Sequence, residues 1–125
     1  MKKIVVFVAL CLLATNIFAA KTDNNITAIK ALAERVVPSV ADQFEWRVLP
    51  AKGGDRWELS SEDGKIVIAG NNAGSMAVGL NHYLKYYCLT EVSWYAADPV
   101  VLPATLPSVD TPVSAKARVK DRFFL

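Results

Sequence analysis

Cysteine and histidine are almost absent from this chain of 125 residues, which contains two cysteines and one histidine. Cys11 lies in an apolar run near the N-terminus, so Cys88 is the cysteine that remains once a leader is removed. A single cysteine cannot form an internal disulfide. A lone histidine, His82, also provides no His and Cys cluster at the spacing that zinc sites use. The sequence therefore predicts no disulfide framework, no metal centre and no cofactor.

A surplus of charge of either sign is also missing. The chain has 14 Lys and Arg residues against 12 Asp and Glu residues. Lys2 and Lys3 belong to the predicted leader, which leaves 12 basic residues (14 − 2 = 12) beside the 12 acidic ones. Domains that bind nucleic acid present clustered Lys and Arg side chains. The balance therefore argues against nucleic acid as a partner.

The longest apolar run is too short to span a membrane. Residues Ile4–Ala14 form this run of eleven residues, whereas a transmembrane helix needs about 20. A basic start, a short apolar run and small residues after it are typical of a bacterial secretory signal peptide. We expect cleavage after Ala19, with Ala20 as the alternative, and export to the periplasm or the medium. An uncleaved N-terminal anchor is the other interpretation, and no stable membrane span is expected after signal removal.

The first half of the mature chain predicts one helix followed by strands. Over residues 25–37, apolar side chains recur at spacings of three and four, which is typical of a helix with one buried face. Pro38 predicts the end of this helix, because proline disfavours a helical residue before it. Residues 44–49 and 56–61 alternate between apolar and polar side chains, as half-buried strands do.

A hairpin and a second helix are predicted next. The Asp-Gly pair at 63–64 predicts a tight turn, so residues 65–70 should return as a third strand beside the second. Residues 73–87 carry the strongest helical pattern in the chain. Asn71 or Asn72 is the expected N-cap of this helix.

The end of the chain predicts a short strand and then a strap. Residues 91–95 favour a fourth strand. Residues 99–117 contain four prolines, which exclude a central strand or a helix and predict an extended surface strap. The order α-β-β-β-α-β then predicts an α+β two-layer sandwich, with helices on one face of a small, largely antiparallel sheet. We expect residues 20–98 to form this domain and residues 118–125 to begin a following structure.

Three glycines at the start of the second helix raise the question of a nucleotide site. Gly70, Gly74 and Gly79 are spaced G-x-x-x-G-x-x-x-x-G. Dinucleotide turns use G-x-G-x-x-G, and phosphate loops place Lys and then Ser or Thr after their last glycine. Neither pattern is present in this sequence. We therefore expect Gly70 to end a strand, Gly74 to lie in the first helical turn and Gly79 to allow close packing.

The other chemically active side chains favour structural roles. At 100° per residue, His82 falls about 180° from Ala73, which predicts a place on the outer face of the helix, away from the sheet. Cys88 lies near the apolar helical face and predicts a core thiol. The acidic residues form no clear acid–base pair, and Glu45 and Glu58 are predicted on the outer face of their strands. The sequence thus predicts no catalytic residue.

Three tryptophans leave a second interpretation open. Trp46 and Trp57 are in phase with the core-facing positions of their strands, which predicts that they pack inside the domain. Together with Trp94, they could instead form a platform on which sugars stack. The alternative function is therefore an independent exported glycan-binding module that uses these tryptophans.

A known family shares the pattern of the second helix. The stretch "GSMAVGLNHYLKYYCLTEVSW" resembles the N-terminal domain of α-N-acetylglucosaminidases, glycoside hydrolase family 89. In that family a helix of the type G-x-x-x-x-G-L-x-x-Y-L-x-x-x-C leads to a strand ending in Ser-Trp or Ala-Trp. The matching positions are Gly74, Gly79, Leu80, Tyr83, Leu84, Cys88 and Trp94. The strap "VLPATLP" and the closing "RFFL" resemble the family's passage into its catalytic barrel.

The resemblance implies a non-catalytic domain packed on a (β/α)8 barrel. The parent enzyme would hydrolyse terminal α-linked N-acetylglucosamine, using paired glutamates of the barrel that match no position here. The expected partner is that barrel, in the same chain or a companion chain, and a glycan is a further candidate. Gly79, Phe123, Phe124 and Leu125 are the candidate interdomain contacts. A fragment of a longer gene and a free-standing remnant are both compatible with the sequence.

Overall fold

A computed structural model describes residues 24–93, 95 and 99–119 of the chain. The predicted signal peptide and the candidate contacts Phe123 to Leu125 lie outside these residues and stay predictions. Within the described part, a layer of two helices covers one face of a four-stranded sheet. This arrangement confirms the predicted α+β two-layer class. None of the helices in the described ranges is long and apolar enough to cross a membrane.

The first helix, α1, occupies residues 24–36 of the described chain. Ile29, Ala33 and Val37 are each 1% exposed, so the apolar spacing of this segment does mark a buried face. The helix ends before Pro38, as predicted. Pro38–Gln43 then forms a 3-10 helix that the sequence did not predict. Proline suits its first position because that N–H needs no partner within the helix.

The sheet contains three strands where the sequence predicts them. They are β1 (Phe44–Val48), β2 (Arg56–Glu62) and β3 (Lys65–Gly70). The predicted hairpin joins β2 and β3, which pair antiparallel. Asp63 and Gly64 have φ values of 50° and 77°, and this pair of positive values is the reason why such turns favour Asp-Gly.

Strand order makes the sheet mixed. The order is β1-β3-β2-β4, so β3 lies between the two strands that precede it in the chain. β1 pairs parallel with β3, whereas β2 pairs antiparallel with both β3 and β4. Two of the three pairings are therefore antiparallel, in keeping with the expected predominance of antiparallel pairing.

The fourth strand is not the one that the sequence predicted. Residues 91–93 and 95, the described part of the predicted strand, lie outside any strand. The fourth strand, β4 (Val113–Lys116), comes from the strap instead. It begins directly after Pro112 and pairs with β2 alone, as an edge strand. Proline is compatible with that position, because an edge strand can begin with a residue that has no N–H to donate.

The second helix, α2 (Ala73–Tyr86), packs on β2 and β3 and supplies much of the core. Met76 and Tyr83 are 0% exposed, and Leu84 is 1% exposed. The opposing sheet contributes Leu59 and Ile68, which are both fully buried. Burial of each such side chain stabilises the fold by about 1.5–3 kcal/mol. Helix and sheet therefore depend on each other for a common core.

The strap is fixed to this core rather than lying loosely over it. Val109 is 3% exposed, and its N–H donates to Oγ of Ser61 on β2 at 2.8 Å. The buried hydroxyl of Tyr83 donates to the carbonyl oxygen of Pro107 at 2.8 Å. Hydrogen bonds from both layers thus hold the strap before it enters the sheet as β4.

Candidate functional site

The glycine-rich corner before α2 is closed by the protein's own polar groups. Asn72 is the N-cap, and its Oδ1 accepts from the N–H of Ser75 at 2.8 Å. The Met76 N–H donates to the Asn72 carbonyl at 3.1 Å, and the Ala73 N–H donates to Oδ1 of Asn25 at 3.0 Å. The Met76 bond is the first bond of the helical ladder, whereas a helix that binds phosphate offers the free N–H groups of its first turn to the anion. Since two of those groups, on Ala73 and Ser75, are engaged by asparagine side chains, the geometry supports the structural interpretation of this corner.

Asn71 fastens the same corner to the loop that precedes β2. Its Oδ1 accepts from the N–H of Arg56 at 3.1 Å and from Oγ of Ser75 at 2.9 Å. Its Nδ2 donates to the carbonyl oxygen of Gly54 at 2.9 Å. One amide side chain therefore links two loops and a helix start, which is a positioning role and requires no ligand.

Gly70 and Gly79 mark close approaches between helix and sheet. A Cβ atom on Gly70 would lie 2.9 Å from the backbone nitrogen of Met76, and one on Gly79 would lie 2.9 Å from Cγ2 of Ile68. Such distances are shorter than real Cβ contacts, so a larger residue at either position would force neighbouring atoms to shift. The close packing predicted at Gly79 is thus contact with the domain's own sheet. Its candidate contact with another domain stays a prediction.

His82 does not lie on a face opposite the sheet, so that prediction is wrong. Its ring centroid is 4.7 Å from that of Trp57 on β2 and 4.6 Å from that of Tyr86. The prediction was centred on Ala73, whereas the buried face of α2 is centred on Met76 and Tyr83. Partial burial lowers the pKa of His82, because it disfavours the charged imidazolium.

The remaining thiol is a core group, as predicted. Cys88 is free, and its side chain is buried beside Tyr83. Burial raises the pKa of the Cys88 thiol and that of the Tyr83 hydroxyl. A reactive cysteine needs a lowered pKa and exposure to solvent. Cys88 has neither property and packs as a small apolar side chain.

The carboxylates of the outer sheet face form an ion pair instead of an acid–base pair. Arg47 donates to both carboxylate oxygens of Glu62, at 3.0 and 2.7 Å, and to Glu45 at 2.8 Å. These hydrogen bonds lower the pKa of Glu62. A glycosidase acid requires the opposite shift, so that the carboxyl stays protonated near neutral pH. Glu58 is exposed on the same face, as predicted.

The tryptophans in the described part of the chain are inside the core. Trp46 is 8% exposed and Trp57 is 7% exposed, which confirms their predicted orientation. A sugar that stacks on a ring needs an open ring face, and neither side chain offers one. Trp94 lies outside the described residues. Those residues also contain no group of three or more His, Cys, Asp or Glu side chains that could hold a metal ion.

Fold and site geometry together define a class, namely a small α+β domain in which the polar groups at the start of α2 bond to the domain's own loops. Comparison with known proteins then gives the family. The chain matches the α-N-acetylglucosaminidase (NAGLU) N-terminal domain over residues 27–108 and belongs to that family. No curated protein matches the sequence.

Solved structures of enzymes contain a similar domain. A family 89 glycoside hydrolase from Clostridium perfringens in complex with PUGNAc is 33% identical, with a TM-score of 0.74 over 80% of this chain. The structure of CpGH89 from the same organism with its substrate GlcNAc-α-1,4-galactose gives a TM-score of 0.77 over 83% of this chain at 33% identity. The chain spans 12% of the length of each of these enzymes.

Proposed function

We propose that this chain is the non-catalytic N-terminal accessory domain of an exported α-N-acetylglucosaminidase-type glycoside hydrolase, and that it braces the catalytic barrel of that enzyme. The parent reaction is hydrolysis of terminal α-linked N-acetylglucosamine. The observation that carries this proposal is the family match, together with the 12% share that the chain has in the length of similar enzymes.

The side chains of the described residues support a structural role in such an enzyme. Glu62 is held ionised by Arg47, and Cys88 is buried as a neutral thiol. The Asn71 and Asn72 amides are occupied by backbone and side-chain partners at the start of α2. None of these groups is available to protonate a leaving group or attack an anomeric carbon. This supports the proposal that the reaction takes place in the partner barrel.

A chimeric enzyme tests the proposal. In the family 89 enzyme from Clostridium perfringens, this chain replaces the matching N-terminal domain, and a second form of the enzyme lacks that domain altogether. The assays measure hydrolysis of a nitrophenyl α-N-acetylglucosaminide and the half-life of that activity on heating. We expect the chimera to outlast the truncated form, and the chain alone to hydrolyse nothing. Equal half-lives, or turnover by the chain alone, would contradict an accessory role.

Export is a separate part of the proposal and has its own test. Its support is the basic start and the short apolar run of Ile4–Ala14. Expressed with its leader in a bacterium, the protein should be recovered from the periplasm with a mass that corresponds to cleavage after Ala19 or Ala20. Recovery from the cytoplasm at full mass would contradict export.

A further inference from the structure

Leu89, just past the end of α2, adopts a backbone conformation that favours glycine. Its φ is 54°, in the left-handed region. The Thr90 N–H donates to the Leu84 carbonyl at 3.0 Å and so closes the end of α2 around this residue. Glycine is the usual residue at a left-handed position after a helix. Leucine carries a steric cost there that glycine avoids. This cost brings no packing in return, because the Leu89 side chain is 85% exposed.

Leu89 follows a row of side chains that lies along one side of α2. Val78, His82 and Tyr86 follow at spacings of four, which place them on neighbouring turns of one side of α2. Leu89 lies three residues beyond Tyr86, past the end of the helix. Val78 is 48% exposed and Tyr86 is 61% exposed. The His82 ring lies 4.6 Å from that of Tyr86, so these two side chains are in contact. We call these four residues the α2 stripe.

The α2 stripe begins where the chain leaves the sheet. Val78 lines a cleft of about 380 Å³ together with Ala115, Lys116 and Ala117 at the end of β4. Polypeptide that follows β4 therefore emerges beside Val78. In the similar enzymes from Clostridium perfringens, the matched domain is only 12% of the chain. Those enzymes therefore contain a much larger region of the same polypeptide, which can cover a stripe of this kind.

We infer that the α2 stripe is the surface by which this domain docks on the catalytic region of a family 89 type glycoside hydrolase, with Leu89 as its projecting anchor. The inference rests on the proposed function and adds the face that makes the contact. Docking removes the exposed Leu89 and Val78 side chains from water. The burial of this apolar surface stabilises the docked state by a free energy that the isolated domain does not gain. The outer sheet face, with its Arg47 ion pairs, stays in solvent.

The test uses three variants of the Clostridium perfringens chimera described above. Val78→Lys places a charge on the stripe, and Leu89→Gly removes the anchor. Ser114→Lys is the matched control, because Ser114 is exposed on β4 opposite Glu58, on the outer sheet face. We expect the first two to shorten the half-life of the activity about fivefold to tenfold, and the control to leave it unchanged.

The isolated chain separates docking from folding. There Leu89→Gly should raise the midpoint of thermal unfolding, since it relieves the left-handed leucine, and Val78→Lys should leave it near that of the unchanged chain. Stripe variants whose chimeras last as long as the unchanged chimera overturn the inference. A second outcome also overturns it. If sedimentation shows that the isolated chain associates with itself, and the variants do no more than abolish this association, the stripe is a contact between copies of the chain. If the chimera without substitutions loses its activity as fast as the truncated enzyme, the proposed function itself is contradicted.

Discussion

Replacement of Gly79 by alanine is a sharp test of the contact between α2 and the sheet. In an exposed helix interior, Gly→Ala stabilises a protein by about 1 kcal/mol, because alanine loses less backbone entropy on folding. Here the added Cβ atom would lie 2.9 Å from Cγ2 of Ile68. Ile68 is 0% exposed and pairs with Trp46 on one side and Leu59 on the other, so it has little room to move.

The two effects oppose each other, and the packing term should be larger. Overpacking a rigid core costs about 1–3 kcal/mol. The middle of that range is a cost of about 2 kcal/mol, and helix propensity returns about 1 kcal/mol. The free energy of unfolding should therefore fall by about 1 kcal/mol. For a domain of this size, such a loss lowers the unfolding midpoint by about 4–8 °C.

Urea unfolding of the purified domain, followed by circular dichroism, measures this difference. Gly74→Ala is the matched control, because Gly74 is exposed in the same helix and its added Cβ would meet only Oδ1 of Asn72, at 3.2 Å. We expect the control to raise the free energy of unfolding by up to about 1 kcal/mol, because it gains helix propensity without meeting the sheet. A Gly79→Ala domain that is more stable than the unchanged one would refute the close contact.

Three further predictions concern the core. Tyr83→Phe removes the hydrogen bond to the Pro107 carbonyl and should lower the free energy of unfolding by about 1 kcal/mol in urea titrations. The pKa of His82 is lower in the folded than in the unfolded state, so stability should fall as pH drops below about 6.5, where the unfolded chain binds more protons. His82→Gln should reduce that loss when unfolding midpoints at pH 7.5 and 5.5 are compared. Buried Trp46 and Trp57 should give blue-shifted fluorescence that added N-acetylglucosamine leaves unchanged.

Each of these has a control and an outcome that contradicts it. Tyr86→Phe alters an exposed tyrosine, and an equal effect of both tyrosine substitutions would show that the strap hydrogen bond contributes nothing. If the stability of His82→Gln depends on pH as strongly as that of the unchanged chain, His82 is not the cause of the pH dependence. The fluorescence test uses a Trp94→Phe background, so that Trp46 and Trp57 alone report. A sugar-dependent change there would favour the glycan-binding alternative.

Local signals in the sequence predicted most of the fold. Alternation located β1 and β2, the Asp-Gly pair at 63–64 located the hairpin, and helical spacing located α1 and α2. Each of these signals depends on residues close in sequence. The parallel pairing of β1 with β3 and the entry of β4 at the sheet edge depend on distant segments. They could not be predicted from local patterns.

Side-chain positions on α2 show the same limit. The predicted face was centred on Ala73 and took no account of Gly79, although a glycine can be the point of closest approach. Including Gly79 would have rotated the buried face toward Met76 and placed His82 at its flank. The Val78, Tyr86 and Leu89 spacing was visible in the sequence. Their exposure and the left-handed Leu89 were not, because both are properties of the packed chain.

Hydrogen exchange in the catalytic chimera is the most direct test of the account, which holds that this domain braces a catalytic region through α2. Amide exchange over residues 88–93 is measured in the isolated chain and in the Clostridium perfringens chimera. We expect slower exchange of this segment in the chimera than in the isolated chain, with unchanged exchange across β2 and β3. Equal exchange of residues 88–93 in both proteins would contradict it.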